Sequence, residues 1–519
     1  MTKTNYPALV STLVITVGLV GSGVWYLNKT APGLLGFGPV GVTSPVPRGR
    51  TQVTVLGDTF SGYSTFRHAA FQEAVAGAGI TIQYRDEFDQ GLRADALQRG
   101  QADVIVTTLD QYLQQQPQGR IVGLIDRTVG ADAVVLNTPQ YPIRSLLDLN
   151  ALVQQTRSQG QTLKIAFAGD TPSEYLALVL DTKFEAFNLA DFEVVRVADA
   201  SEAWALMQDP SQAVAVAVLW EPFVTQAQQQ GYTVVLSSQD APGAIVDVMV
   251  ASDRLIQSNP EVISTLLTHY YRRIDANVRD ASQLQTQVAE DGDLSLGDAW
   301  AILQGIDFFT AAEAQTWMTD GTLKRRIEAI AAVLVLSGRL PEVPANPETL
   351  FVTDFLGEAA ANTQTLIDLV RADNPELADQ LAGKAQKTLA VPTVTDAQVQ
   401  TAPDIGNLDV QGSVDFATGS AQLTPPGQQT LDGLAREIQE FNPQTVAVRI
   451  IGHTSRTGDP GFNQRLSQQR AQVVVDYLRS QGVQHNIVAE GKGFYLPLSG
   501  IDPADPRQQR TEIRLVRVN

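Results

Sequence analysis

Two groups of polar residues in this 519-residue chain have types and spacings suited to gripping a ligand. The first is scattered: Tyr63, Ser64, Thr65 and Arg67 in GDTFSGYSTFR, then Thr107 and Thr108, then Thr171, Ser173 and Glu174 in DTPSE, then the pair Trp220 and Glu221. Aromatic rings stack on a ligand body, hydroxyls donate hydrogen bonds and an arginine meets an acidic headgroup. The second group is compact, with Ser455, Asn463 and Arg470 inside GHTSRTGDPGFNQRLSQQRAQVVVDYL and Arg510 further on. These are binding chemistries, and none of them needs a bond to break. The chain has no P-loop, no HExxH and no G-x-S-x-G elbow, so no catalytic residue is expected. It also has no cysteine, and its four histidines, His68, His269, His453 and His485, stand at no metal-ligand spacing. No metal and no cofactor are expected.

The elements that position these residues follow from hydrophobic pattern. From Gln52 the chain alternates apolar runs such as QVTVLG, ITIQY and ADVIVTT with helical stretches, a rhythm of parallel βαβ units and an α/β layer fold. It continues through LKIAFAG, FEVVRVA, AVAVAVLW and IVDVMVAS, so one large α/β body reaches at least Asp253. Thr171, Pro172 and Glu174 read as the capped start of a helix at the carboxyl end of a strand, where open sheets bind ligands. Free N–H groups there favour an anion. The acidic residues Asp58, Asp170, Glu174 and Glu221 nevertheless outnumber Arg67, which suits a cationic or zwitterionic amine as well. A capped helix without ligand, and core packing for Tyr63 and Trp220, are the plainer alternatives. Two lobes are expected to close about hinges near 134–137 and 244–250.

Residues 357–409 read as a helical segment followed by a polar linker, and 410–519 as a small α+β unit. In its last long helix, Leu466, Val474 and Leu478 form an apolar stripe, Asn463 is placed to cap the start and Gly482 to end it. That stripe leaves Arg470 on another face, free for a ligand. At the other end, Tyr6 to Leu27 carry no charge over roughly the twenty residues that span a bilayer, and Trp25 and Tyr26 suit an interface belt. We read 1–29 as an uncleaved transmembrane anchor, with a cleaved signal as the alternative. A Gly/Pro-rich tether follows at 30–50; its GFGPVG (Gly36, Gly38, Gly41) lacks the flanking strand and helix of a dinucleotide site and is a chance match. The net charge of −19 excludes nucleic acid as a partner.

The region 51–356 resembles the type II periplasmic substrate-binding proteins of the sulfonate, taurine, nitrate and thiamine-precursor group. The likeness lies in IAFAGDTPSEYLALVL, ADASEAWALMQDPSQAVAVAVLWEPFVTQA and VASDRLIQSNPEVISTLL. The region from Gly412 to Asn519 resembles OmpA-like domains through VDFATGSAQL, GHT, Asn463, LSQQRA and RQQRTEIRL. The first resemblance implies a bilobed fold that binds a small solute for a permease of an ABC-type importer. The second implies peptidoglycan binding: Arg470 would hold the carboxylate of a stem-peptide diamino acid, Asn463 would shape the loop and Arg510 would sit nearby. Such domains usually carry an acidic residue after His-Thr, where this chain has Ser455; Asp459 lies four residues along. Together they imply a protein anchored in the inner membrane and facing the periplasm. A structural or sensory envelope protein, tethering membrane to wall without transport, is the rival expectation.

Overall fold

Largely apolar runs such as VIVTT, VAVAVLW and VDVMVAS form strands buried on both faces, as strands sandwiched between helices must be. The computed structural model describes residues 51–384, 391–392, 394–410 and 412–518. The apolar span from Tyr6 to Leu27, the tether at 30–50 and its glycine motif lie outside the described residues. Among the described residues, no helix is long and apolar enough to cross a membrane.

In chain order the strands are β1 (Thr51–Gly57), β2 (Ile80–Asp86), β3 (Val104–Thr108), β4 (Gly119–Thr128), β5 (Asp132–Leu136), β6 (Lys164–Ala168), β7 (Glu193–Val197), β8 (Val214–Trp220), β9 (Thr233–Ser237), β10 (Val246–Ser252) and β11 (Ile306–Phe308). They make two mixed sheets, ordered β11-β4-β10-β3-β1-β2 and β7-β6-β8-β5-β9. The chain crosses between the sheets twice, after β4 and after β9. Each crossing inserts an antiparallel strand, β5 between β8 and β9 and β10 between β3 and β4, and β11 adds a second antiparallel strand at the edge of the first sheet. Register fixes where the crossings lie. Asp247 at the start of β10 pairs with Thr108 at the end of β3, and Asp132 at the start of β5 pairs with Trp220 at the end of β8. The carboxyl ends of both sheets therefore face each other across the crossovers. The hinge expected near 134–137 needs correcting, since Val134 to Leu136 are buried inside β5; the crossovers are 129–131 and 238–245, and the expected 244–250 overlaps only the end of the second and runs on into β10.

The helices Pro260–Arg279, Gly357–Val370 and Pro375–Leu381 pack on one another over the first lobe, and Thr310 Oγ1 donates to Leu381 O at 2.7 Å. The start of the stretch read as linker thus belongs to the body. A third sheet, ordered β12-β15-β13-β14, comprises β12 (Asp404–Asn407), β13 (Val446–Gly452), β14 (Ile487–Gly491) and β15 (Thr511–Arg517). The amphipathic helices Pro425–Gln439 and Pro460–Ser480 belong to this unit; Leu431, Leu434, Ile438, Val474 and Leu478 are buried. VDFATGSAQL, expected as its opening strand, makes only an isolated bridge between Phe416 and Leu423, and β12 takes the sheet edge instead.

Candidate ligand sites at the lobe junction and in the C-terminal unit

Tyr63, on the loop after β1, is where expected and unexpected residues meet. Its ring is buried edge-on to Phe60 at 5.2 Å, and its hydroxyl donates to Asp247 Oδ1. Gly62 beside it lies against Asp126 so closely that a Cβ would stand 2.2 Å from Oδ2, so a larger residue there would push Asp126 aside. Asp126 is 0 % exposed and no donor reaches either of its oxygens. Asp110, just past β3, accepts from Gln111 Nε2 at 3.1 Å through Oδ2, while Oδ1 is also without a donor. Asp132 completes the set from the second lobe.

Among the described residues, no cationic side chain pairs with these four aspartates. The neighbouring arginines are committed elsewhere, Arg93 to Asp58 at 2.9 Å and Arg127 to Asp307 and Glu313. Burial penalises the charged carboxylate and raises each of them. Asp247 is pushed up to about 7 by burial and by Asp58, Asp110 and Asp132, against the Tyr63 bond. Burial, then Glu221, lifts Asp132 to about 7, and burial lifts Asp110 to about 6 against the bond from Gln111. Asp126 is raised well above the carboxylate range by burial and then by Asp247. Near neutral pH the junction holds protons where a bound cation would remove the need for them.

Other expected residues are engaged inside their own lobes. Ser64 and Thr65 are fully buried and each accepts from Gln287 Nε2 at 3.0 Å. Arg67 forks onto Asp291 at 2.7 and 2.5 Å and donates to the carbonyls of Asp58 and Phe60, so it meets no acidic ligand group here. Thr107 donates to Gln90 at 2.9 Å, and Thr108 lies at the carboxyl end of β3 opposite Asp247. In the second lobe, Thr171 caps the Pro172–Lys183 helix through Ser173 N at 3.2 Å, and the Ser173 hydroxyl is buried without a partner. Glu174 accepts from Asp170 N at 2.8 Å, not from the Thr171 N–H of an ordinary capping box. It also ion-pairs with both Arg196 and Arg339. The helix start expected to attract an anion is thus already occupied by this chain's own carboxylate. Trp220 sits opposite Asp132, and Glu221 accepts from Thr225 N and Oγ1 at 3.1 and 2.9 Å. A cavity of about 530 Å³ lies at the far end of the second sheet, lined by Tyr141, Leu152, Gln155 and Leu163 among others, and includes none of these residues.

In the C-terminal unit the Pro460–Ser480 helix begins earlier than expected. Asp459 is the cap, accepting from Phe462 N at 2.7 Å, while Asn463 donates through Nδ2 to Thr457 O at 2.7 Å and so holds the loop. Arg470 is not free: it is 6 % exposed, its guanidinium lies over the Phe416 ring at 5.0 Å, and Nε donates to Ser420 O at 2.9 Å. Its Nη1 donates to Gln509 Oε1 at 3.3 Å, and Gln509 Nε2 donates to Ser455 Oγ at 3.3 Å. Every one of these partners is neutral, and burial lowers the arginine's pKa accordingly. Arg510 donates to Glu512, at 2.6 and 3.0 Å.

Sequence reasoning missed Asp110, Asp126, Asp132, Asp247 and Gln509. The aspartates carried a signal: GLIDRT, ADAVVL and IVDVMV each place a carboxylate in a strand otherwise apolar, where burial is costly. Gln509 lay in the RQQRTEIRL motif, but only the fold brings it between Arg470 and Ser455.

Residues 415–511 match the sequence model of the OmpA family, and the C-terminal unit is an OmpA-family domain. The chain is 38% identical over 136 residues to "Outer membrane protein A" of Shimwellia blattae, covering 25% of this chain and 55% of that protein. It spans about half the length, or less, of the curated relatives it matches. Among solved structures, it is similar to the periplasmic aliphatic sulphonate binding protein SsuA from Escherichia coli, with a TM-score of 0.46, 13% identity, and 59% of this chain and 99% of that one covered. It is likewise similar to the periplasmic nitrate-binding protein NrtA from Synechocystis PCC 6803, with a TM-score of 0.45, 14% identity, and 64% and 91% covered.

Proposed function

We propose that the chain is a solute receptor of the cell envelope whose two lobes close on a positively charged solute, and whose OmpA-family domain attaches it to peptidoglycan. One observation supports both halves: each site buries ionisable groups that have no oppositely charged partner among the described residues. Among the described residues, no cationic side chain pairs with the four buried aspartates at the lobe junction, and no carboxylate pairs with Arg470. Removing one partner of a buried pair costs about 3–5 kcal/mol, so unmatched groups of this kind are favourable sites for a ligand of opposite charge. An organic amine or amidine fits the junction, and a stem-peptide carboxylate fits Arg470. The apolar Tyr6–Leu27 run would hold the protein in the inner membrane facing the periplasm, with an importer-type permease as the recipient of the solute.

A thermal-shift screen of the full chain against amines, diamines, amidines, sulfonates and nitrate tests the first half. Stabilisation by cations is expected; stabilisation by sulfonate or nitrate alone overturns the charge assignment, and no stabilisation by any solute leaves the tethering role. A pull-down on purified sacculi, comparing the native chain with Arg470→Ala, tests the second half. Retention that survives the substitution removes Arg470 from the site.

A further inference from the structure

The C-terminal domain touches every part that must move if the lobes are to open. On the second lobe, the Phe441 ring meets the Phe184 ring edge-on at 6.1 Å, Asp409 N donates to Lys183 O at 2.9 Å, and Glu185 N donates to Asn407 O at 3.1 Å. At the 238–245 crossover, Asn442 donates through its backbone N to Asp240 O at 2.8 Å and through Nδ2 to Gln239 O at 3.1 Å. Arg517, on β15, ion-pairs with the buried Asp240 and donates to Val234 O at 2.9 Å. The third contact reaches the first lobe. The Thr322–Leu336 helix packs on Leu109–Gln115 of lobe one as well as on Pro172–Lys183 of lobe two, and its Arg326 ion-pairs with Glu440 of the C-terminal domain.

This closes a ring of contacts: lobe one, crossover, lobe two, C-terminal domain, and back to lobe one through Arg326 and Glu440. The guanidinium of Arg326 lies directly over the crossover, where a Cβ on Gly243 would stand 2.3 Å from its Cζ. Phe184, Ile405, Leu408 and Phe441 share one buried core, and the packing is interrupted only locally, at Arg326. A void of about 40 Å³ remains beside Tyr175, Gly243, Arg326 and Phe441, and among the described residues Arg326 Nε has no acceptor. The Arg326–Glu440 arm of the ring is a single ion pair, which can break without unfolding either part.

We infer that the C-terminal domain is a brace across the lobe hinge, so that lobe opening and release of the Arg326–Glu440 contact are one equilibrium. Whatever holds or pulls the domain then shifts lobe closure, and solute that closes the lobes tightens the docking by the same factor. The inference rests on the lobes moving as proposed above, and not on which solute they bind.

The chain has no cysteine, so Gln98→Cys and Gln229→Cys, at exposed helix ends in the two lobes, take spin labels at those sites alone. Distances between them, measured by double electron–electron resonance on the full chain, should form one short population. Arg326→Glu or Glu440→Arg alone should add a longer population, and the two together should restore the short one by re-forming the pair in reverse. An unchanged distribution in both single variants overturns the brace, as does a longer population that the double variant fails to restore. Should Arg326→Glu not fold, Arg517→Ala with Asn442→Ala cuts the arm at the crossover, with the same lengthening expected and the same reading of no change. The measurement needs no solute, so a failed solute screen leaves it interpretable, and its failure leaves the solute assignment standing.

Discussion

At the lobe junction four aspartates are buried beside one another and protons relieve their mutual repulsion; in the C-terminal domain Arg470 keeps its charge and is held by neutral dipoles and an aromatic face. The difference follows from the side chains. A carboxylate can discharge near neutral pH by taking a proton, whereas a guanidinium cannot give one up. The junction should therefore respond to pH and exchange protons for a cationic solute, while the arginine site should hold a carboxylate with little dependence on pH. A receptor that must release its solute and an attachment that must persist would differ in that way.

The comparison breaks most visibly at Arg470. Arg470→Met keeps an apolar stem over Phe416 and removes the charge; retention on sacculi should fall by roughly 100-fold, since a hydrogen bond to a charged group is worth about 1.5–3 kcal/mol and several are lost. A fall of less than threefold would detach the charge from the binding. At the junction, Asp247→Asn and Asp132→Asn should each weaken binding of a cationic solute about 10-fold or more, by removing its counter-charge. The same substitutions should raise the thermal midpoint of the solute-free protein, because an amide needs no proton to be buried. Loss of affinity with loss of stability would mean a structural role only.

The pH dependence should separate the two regions further. Asp247, Asp132 and Asp110 are raised to about 7, 7 and 6, so the folded state binds protons more tightly than the unfolded one, and their stabilising contribution is present at low pH and lost as pH rises from about 4 through about 7. The solute-free midpoint should drop by a few degrees between pH 5 and pH 8, and cation affinity should rise over the same window; calorimetry in two buffers should show proton release on binding. The C-terminal domain has the opposite sign. Although burial alone would raise Glu512, the bond and charge of His453 and then Arg510 hold it down to about 2, so its contribution is present above about 4.5 and lost as pH falls toward 2. The smallest effect is expected at Gln509→Ala, which removes the amide between Arg470 and Ser455 and should loosen sacculus binding only a few-fold.

Much of the architecture was legible because it depends on pattern alone. The alternation of apolar strands with capped helices gave the α/β body, and Thr171 and Pro172 marked a helix start that the structure places within a residue. Less of the site was legible. Tyr63, Thr108 and Trp220 do lie at the facing strand ends, but Ser64, Thr65 and Arg67, read from the same loop, are turned to Gln287 and Asp291 more than two hundred residues away. Sequence spacing orders side chains along one element and says nothing about which distant helix will cover it.

The amino-acid sequence by itself determined that this is a cysteine-free, acidic chain with an α/β body and a small α+β domain, since composition and local period decide those things. It also marked Arg470 as a residue to watch. Only the tertiary structure decided which charges go unmatched, because that depends on partners drawn from separate strands: Asp110, Asp126, Asp132 and Asp247 meet where two sheets face each other, and Gln509 reaches Arg470 from the far end of the domain. The tertiary structure alone also set the C-terminal domain against the crossover, through ion pairs linking residues 114 and 277 positions apart in the chain.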